Sequence, residues 1–204
     1  LGGRTTYALE GSIFVSGAIV QWLRDGMNLI ASAGETEAIA AAQAGNNGVY
    51  MVPALTGLGA PHWAPNARGA VYGITRDTGP ADFVRAALES VAYQTNDLFT
   101  AIAEEGIPVS AVRVDGGMTT NDWLMQFLSD VLDMPVDRPR ILETTALGAA
   151  MFAGLADGAH ASLDDVAASW QQDRQFTPAM ADDKRRLIKA GWSEAIMKTR
   201  LRFD

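Results

Sequence analysis

The sequence contains no cysteine and no long run of apolar residues. Without cysteine there is no disulfide framework, no thiolate zinc site and no cysteine nucleophile, and a reducing compartment is permitted. The longest apolar stretches, such as residues 146–156, are shorter than the roughly 20 residues that a helix needs to cross a bilayer. We therefore expect a cytoplasmic protein with no membrane span and no cleavable leader.

Positive charge is also scarce, because 16 Lys and Arg stand against 24 Asp and Glu and give a net charge of −8. A nucleic-acid backbone is bound through a clustered excess of Lys and Arg, so we expect no nucleic-acid partner. The two histidines, His62 and His160, lie far apart and lack companions at metal-ligand spacing, which predicts no metal site. A small anion held by backbone amides remains a candidate ligand.

The 204 residues alternate between strand-like and helix-like patterns, which is typical of one α/β domain with helices covering a sheet. Pro80 stands where a first helical turn tolerates proline. The predicted strands are residues 5–9, 49–53, 69–74, 111–115 and 134–138. The first predicted helix is a segment of about 15 to 19 residues that Ser12 would cap. The other predicted helices are residues 35–43, 81–104, 119–132, 144–155, 162–170 and 182–203. Residues 55–68, which include His62 and Trp63, are predicted to form an ordered loop.

The stretch RVDGGMTTND, residues 113–122, joins a strand to a helix through two adjacent glycines. A helix that begins at Thr119 would point unpaired amides at the turn, and such a terminus favours an anion. Gly116 and Gly117 would supply positive φ and bare backbone, and Asn121 would place an amide beside the same opening. An ordinary strand-to-helix turn explains the same residues, so both interpretations stay open. Asp115 is expected to hold this loop rather than a metal.

A second glycine precedes an amide on the first long helix, where Gly17 and Gln21 lie four residues apart and share a face. Glycine inside a helix costs roughly 1 kcal/mol relative to alanine, so it indicates either close helix packing or a close ligand. A cleft that binds a nucleotide between two helix-bearing layers would require two such pairs of a glycine and an amide. The standard P-loop and dinucleotide fingerprints are absent, and no general base can be named.

Several segments together resemble the carboxyl-terminal half of the glycerol kinases, within the wider carbohydrate-kinase (FGGY) family. The likeness runs in order from about Tyr7 to the AGW of the last helix. It is carried by LEGSIFVSGAIVQWLRD, VPALTGLGAPHWAPNARGAVYGITR, AALESVAYQTNDL, RVDGGMTTNDWLMQFLSDVL and ETTALGAAMFAGLA.

The resemblance implies a two-domain kinase of actin-like, ribonuclease-H-like architecture that transfers the γ-phosphoryl of ATP to glycerol, giving sn-glycerol 3-phosphate, with Mg²⁺. Residues 1–204 would be its single carboxyl-terminal, nucleotide-binding domain. By matching positions, Gly17, Gln21, Gly117 and Asn121 would contact the nucleotide. The catalytic base and the glycerol pocket would lie in an amino-terminal domain that is absent here, so no catalytic residue is predicted in this chain.

Two alternatives remain at this point. The same domain could belong to a kinase for another polyol or sugar, because the acceptor pocket lies outside the chain. A non-catalytic actin-like module, whose glycines serve packing, would also fit the local patterns. The resemblance further implies a homo-oligomer, and the initial Leu1 is expected to follow an upstream segment.

Overall fold

The computed structural model describes Thr5 and residues 7–201. The helices are α1 (Gly17–Asp25), α2 (Glu35–Ala42), α3 (Pro80–Glu104), α4 (Asp122–Leu132), α5 (Thr144–Asp157), α6 (Leu163–Ala168) and α7 (Asp182–Leu201). The strands are β1 (Tyr50–Val52), β2 (Ala70–Tyr72), β3 (Val112–Arg113), β4 (Val136–Pro139) and β5 (Gln172–Phe176). Within the described residues, no helix combines the length and hydropathy of a membrane-crossing segment.

The strands form two small sheets. Strands β1 and β2 pair antiparallel, with Met51 opposite Val71. The second sheet is mixed, because β3 runs parallel to β4 while β5 runs antiparallel to it, which places Val136 between Val112 and Phe176. The predicted α/β architecture, a mixed sheet flanked by helices, is confirmed.

Helix α3 is the centre of the core and contacts α1, α2, α4 and β1. Pro80 begins it, and the Asp82 carboxylate accepts the Gly79 N–H over 2.8 Å. On its buried face, the Tyr93 ring stacks on Trp192 of α7 at 5.3 Å and meets the edge of Phe127 of α4 at 5.6 Å. Aromatic pairs of this kind add to area burial, so Tyr93 joins three helices in one apolar core.

A buried ion pair lies on the same helix. Arg85 Nε donates to Glu89 at 2.7 Å, and its Nη1 donates to the carbonyls of Ala40 and Gln43 at the end of α2. The Tyr93 hydroxyl donates to the other Glu89 oxygen over 3.0 Å. Burial, with the Glu89 charge adding to it, raises the pKa of Tyr93. Arg85 therefore holds the end of α2 against α3, and both charges of the pair have hydrogen-bond partners.

The loop at residues 55–68 is ordered, as predicted, and His62 anchors it. His62 Nε2 lies 2.8 Å from Asp97 Oδ2 of α3, and Trp192 Nε1 donates to that same oxygen over 2.8 Å. Trp63 instead points outward and is 69% exposed. His62 thus links the loop to α3 directly, and to α7 through Asp97.

Two expectations for the amino-terminal segment are wrong, and one strand was not predicted. Thr5 and residues 7–9 form no strand with any other described residue, and Thr6 lies outside the described residues. Helix α1 begins at Gly17 rather than near Ser12, because Ala60 N and Gln94 Nε2 donate to the carbonyls of Ser12 and Val15. Strand β5 was not predicted, because four of its five residues are exposed and only Phe176 is buried.

Candidate functional site

A cavity of about 510 Å³ lies where α1, the start of α2 and the turn before α4 meet. All four residues predicted to contact a nucleotide, Gly17, Gln21, Gly117 and Asn121, line it. The remaining lining residues are Val20, Arg24, Ala33, Gly34, Thr36, Glu37, Leu88, Met118 and Thr120. Two glycine-and-amide pairs 100 residues apart in sequence therefore face the same space.

Gly17 is the first residue of α1 and not an interior one, so the helix-interior cost expected from the sequence does not apply. A Cβ built on Gly17 would lie 3.7 Å from Cγ and Sδ of Met118, which is ordinary contact. Ser16 Oγ donates to the Met118 sulfur at 3.4 Å. Met118 therefore borders the cavity beside Gly17, and this wall is apolar and polarizable.

Gly116 and Gly117 differ in conformation. Gly116 has a φ of 82°, the left-handed region that favours glycine. Gly117 starts a 3₁₀ turn that runs to Thr120 and does not share the positive φ, so that part of the prediction is wrong. A Cβ built on Gly117 would meet nothing within 4 Å. Its backbone therefore faces open space in the cavity.

Asn121 caps α4 instead of lying in its first turn, because the 3₁₀ turn delays the helix to Asp122. Its Oδ1 accepts the Leu124 N–H over 2.8 Å, and its Nδ2 donates to Thr36 Oγ1 over 3.2 Å. Thr36 in turn donates to the Ala33 carbonyl at 2.7 Å and is 2% exposed. These bonds fix which end of the Asn121 amide faces which neighbour.

The anion-binding helix terminus expected near Thr119 is not formed there. Asn121 satisfies one of the first-turn amides of α4, and Asp122 already brings a carboxylate to that terminus. Asp122 accepts hydrogen bonds from Arg138, at 2.7 Å, and from Arg174. The amino-terminal end of α4 is therefore already occupied by the side chains of Asn121 and Asp122.

The cavity walls carry little net charge. Arg24 and Glu37 are the charged side chains among its described lining residues. Arg24 donates two hydrogen bonds to Asp25, at 2.7 and 2.8 Å, which raise the pKa of Arg24 and lower that of Asp25. The guanidinium charge is thus compensated before any ligand arrives.

The described residues contain no group of three or more His, Asp or Glu side chains that could hold a metal ion. Asp115, the carboxylate nearest the double glycine in sequence, accepts a hydrogen bond from the Thr144 hydroxyl, which ties the loop to α5. This agrees with its expected role in holding the loop.

Nine of the thirteen lining residues were not predicted to contact a ligand, among them Arg24, Thr36, Glu37 and Met118. Thr36 and Glu37 belong to an ordinary first turn of a helix, and nothing local indicates that Thr36 bonds to Asn121, 85 residues away. Met118 has one sequence signal, because it follows Gly117 in a segment that was already considered a ligand loop.

Comparison with known proteins supports the resemblance. Residues 2–156 match the family model described as "FGGY family of carbohydrate kinases, C-terminal domain". The chain is 54% identical over 200 residues to glycerol kinase 1 of Pseudomonas aeruginosa, covering 98% of this chain and 40% of that protein. It is 56% identical over 199 residues to the glycerol kinase of Alcanivorax borkumensis, covering 97% and 40%. The chain thus spans about 40% of the length of these relatives.

Solved structures show the same fold. Plasmodium falciparum glycerol kinase with ADP superimposes with a TM-score of 0.81 at 36% identity, over 90% of this chain and 37% of that one. A xylulose kinase from Lactobacillus acidophilus has a TM-score of 0.78 at 22% identity, over 95% and 41%, and shows the fold alone. The predicted actin-like, ribonuclease-H-like fold is confirmed. The chain belongs to the FGGY family of carbohydrate kinases.

Proposed function

We propose that this chain is the ATP-binding half of a two-domain kinase that transfers the γ-phosphoryl of ATP to glycerol, giving sn-glycerol 3-phosphate and ADP. Residues 1–204 would form one domain, and the remainder of the relatives' length would form the other. Identity of 54% to proteins named glycerol kinase, and 36% identity to one whose structure holds ADP, support this.

One observation carries the site assignment: Gly17, Gln21, Gly117 and Asn121 line a single cavity. We assign the nucleotide to this cavity. The bare backbone at Gly117 leaves space for it, and the two amide side chains can each donate and accept hydrogen bonds.

The charge of the walls favours the adenosine part of ATP over its triphosphate. The described lining offers one guanidinium, which Asp25 already neutralises, and one carboxylate. A triphosphate needs concentrated positive charge. We therefore propose that the phosphates extend out of this cavity toward the other domain.

Magnesium belongs to the same proposal. A kinase Mg²⁺ is usually held by substrate phosphates, water and one or two carboxylates, so a dedicated cluster is not required. The described residues supply no such cluster, and no step is assigned here to a metal held by this chain.

In phosphoryl transfer, this chain's residues would bind and orient the nucleotide. Such reactions depend mostly on positioning and on stabilising charge, so one domain can hold ATP while the other brings the hydroxyl and its base. Closure of the two domains would also exclude water. A cytoplasmic, homo-oligomeric enzyme is part of the proposal and rests on the family resemblance.

The experiment compares the 204-residue chain with the chain joined to its amino-terminal domain. The joined protein should phosphorylate glycerol and prefer it to pentoses, whereas the chain alone should bind nucleotide weakly and transfer nothing. Glycerol phosphorylation by the chain alone would contradict the division of labour. A preference for a pentose would favour another kinase of the family, and absence of nucleotide binding in both proteins would favour a non-catalytic module.

A further inference from the structure

A second cavity, of about 530 Å³, lies away from the nucleotide cavity and shares no lining residue with it. Its walls are formed by the carboxyl-terminal parts of α3 and α4, the loop after α3 and one residue of α7. Most of the wall is apolar, and the amine of Lys189 is its one cationic group. Its apolar lining residues include Phe99, Ile107, Val109, Leu132 and Met134.

The Lys189 amine has no hydrogen-bond or ion-pair partner within the described part of the chain. Its charged neighbours are Arg185, one turn earlier on α7, and the carboxylates of Asp97 and Asp133. Both carboxylates are engaged elsewhere: Asp133 pairs with Arg185 at 2.8 Å, and Asp97 accepts hydrogen bonds from Trp192 and faces His62. The amine thus stands unneutralised beside an apolar wall.

Compared with water, these surroundings disfavour the charged form of the amine. Burial, and secondly the Arg185 charge, hold the pKa of Lys189 below its usual value. An uncharged amine carries the free electron pair that a nucleophile needs, and lysines in such places are the reactive ones. Lys189 is only partly buried and lines an open cavity, so a reagent from solvent can reach it.

The other lysines of the sequence provide a comparison on the same helix. The chain has three lysines, Lys184, Lys189 and Lys198. Lys184 is exposed in the first turn of α7, where water solvates its charge. Lys198 pairs with Glu194 at 2.6 Å and lies 5.8 Å from the centre of the Tyr72 ring, and both neighbours favour the charged amine. Lys189 alone combines a missing partner with an apolar cavity.

We propose that Lys189 is a site of Nε-acylation, and that the donor is a small acyl phosphate whose short apolar chain lies in this cavity. The amine first loses a proton to solvent, and its electron pair then attacks the acyl carbon. The bond from that carbon to the phosphate oxygen breaks, phosphate leaves with the electron pair, and the nitrogen gives its extra proton to water. A neutral amide results, so the modification removes an unpaired charge from the cavity edge.

The test uses butanoyl phosphate and the folded protein at pH 8, with mass spectrometry of the peptides that carry each lysine. We expect Lys189 to be acylated at least roughly fivefold faster than Lys184 or Lys198, because a larger fraction of its amine carries a free electron pair. In urea the three rates should converge, because the preference depends on the folded surroundings. Equal rates in the folded protein, or faster reaction at Lys184, would overturn the proposal.

Two kinds of variant test the role of the Lys189 amine and the role of the cavity separately. Lys189→Arg should remove the fast phase of total acylation, and the matched Lys184→Arg should keep it. Ala103→Leu places a larger side chain on an exposed position of the cavity wall and should slow butanoyl transfer to Lys189 more than acetyl transfer from acetyl phosphate. If Ala103→Leu slows both donors equally or neither, the assignment of the acyl chain to this cavity is wrong.

Discussion

The Asn121 side-chain amide donates a hydrogen bond to the Thr36 hydroxyl over 3.2 Å, and so joins the cap of α4 to the first turn of α2. The same amide uses its oxygen to cap α4. One N–H of Asn121 and one lone pair of its oxygen remain for a ligand. The two helices that border the cavity are therefore held in register by a residue that also faces the ligand space.

Replacing Thr36 tests this link. Thr36→Val keeps the buried volume but removes the acceptor, so the Asn121 amide is held by its cap bond to Leu124 alone. We expect nucleotide affinity to fall about fivefold and the free energy of unfolding to fall by roughly 1 kcal/mol. Thr36→Ser keeps the hydroxyl and should retain the affinity. Calorimetric titration with ADP and urea unfolding measure both effects, and an unchanged dissociation constant in Thr36→Val would show that the link has no role in binding.

Asn121 allows stability and binding to be separated. Asn121→Asp preserves the cap oxygen but removes the donor to Thr36, so its free energy of unfolding should fall by about 1 kcal/mol, as in Thr36→Val. It also replaces the remaining Asn121 N–H donor by a carboxylate in the cavity assigned to adenosine, and ADP affinity should fall at least roughly tenfold. Asn121→Ala loses the cap as well as the bond to Thr36 and should lower the free energy of unfolding by about 2 kcal/mol. A stable Asn121→Asp variant with parental ADP affinity would remove Asn121 from the site.

The buried Arg85–Glu89 pair is predicted to be strongly coupled. Arg85→Leu leaves the Glu89 carboxylate buried without its cation, and Glu89→Leu leaves the guanidinium unpaired, so each should cost about 3–5 kcal/mol of unfolding free energy. The double variant should cost clearly less than the sum of the two, because neither charge remains. Urea unfolding of all four proteins gives the coupling energy. Additive losses would mean that the two charges are stabilised independently.

The His62 anchor predicts a local effect. His62→Ala removes the 2.8 Å bond to Asp97 and should lower the free energy of unfolding by about 1–2 kcal/mol, with faster amide exchange in residues 55–68. ADP affinity should not change, because His62 does not line the nucleotide cavity. Trp63→Ala, at an exposed neighbour, should change stability by less than about 0.5 kcal/mol. Equal losses in both variants would argue against the anchor.

Sequence patterns predicted the long elements well and the local details less well. Helix α3 was predicted almost to the residue, because its proline start and long amphipathic run are strong local signals. Strand β5 is polar and lies at a sheet edge, so it carries almost no alternation to detect. The starts of α1 and α4 were misplaced because tertiary hydrogen bonds and a 3₁₀ turn decide them.

The candidate site likewise contains residues that could be selected from the sequence and one that could not. Gly17, Gln21, Gly117 and Asn121 could be selected because each glycine stands four residues before an amide, and because these positions match the nucleotide contacts that the family resemblance implies. Thr36 could not, since its partner is distant in sequence and its own segment is a routine helix start.

Nucleotide binding to Gly117→Val tests the central claim most directly. A Cβ at Gly117 enters open space, and the backbone there lacks positive φ, so the fold should be retained while the added side chain occupies the cavity. Gly45→Val is the matched control, because Gly45 also has no heavy atom within 4 Å of its Cβ position and does not line the cavity. In calorimetric titrations with ADP, we predict that Gly117→Val loses measurable binding and Gly45→Val keeps it. A folded Gly117→Val protein that binds ADP as the parent does would contradict the account.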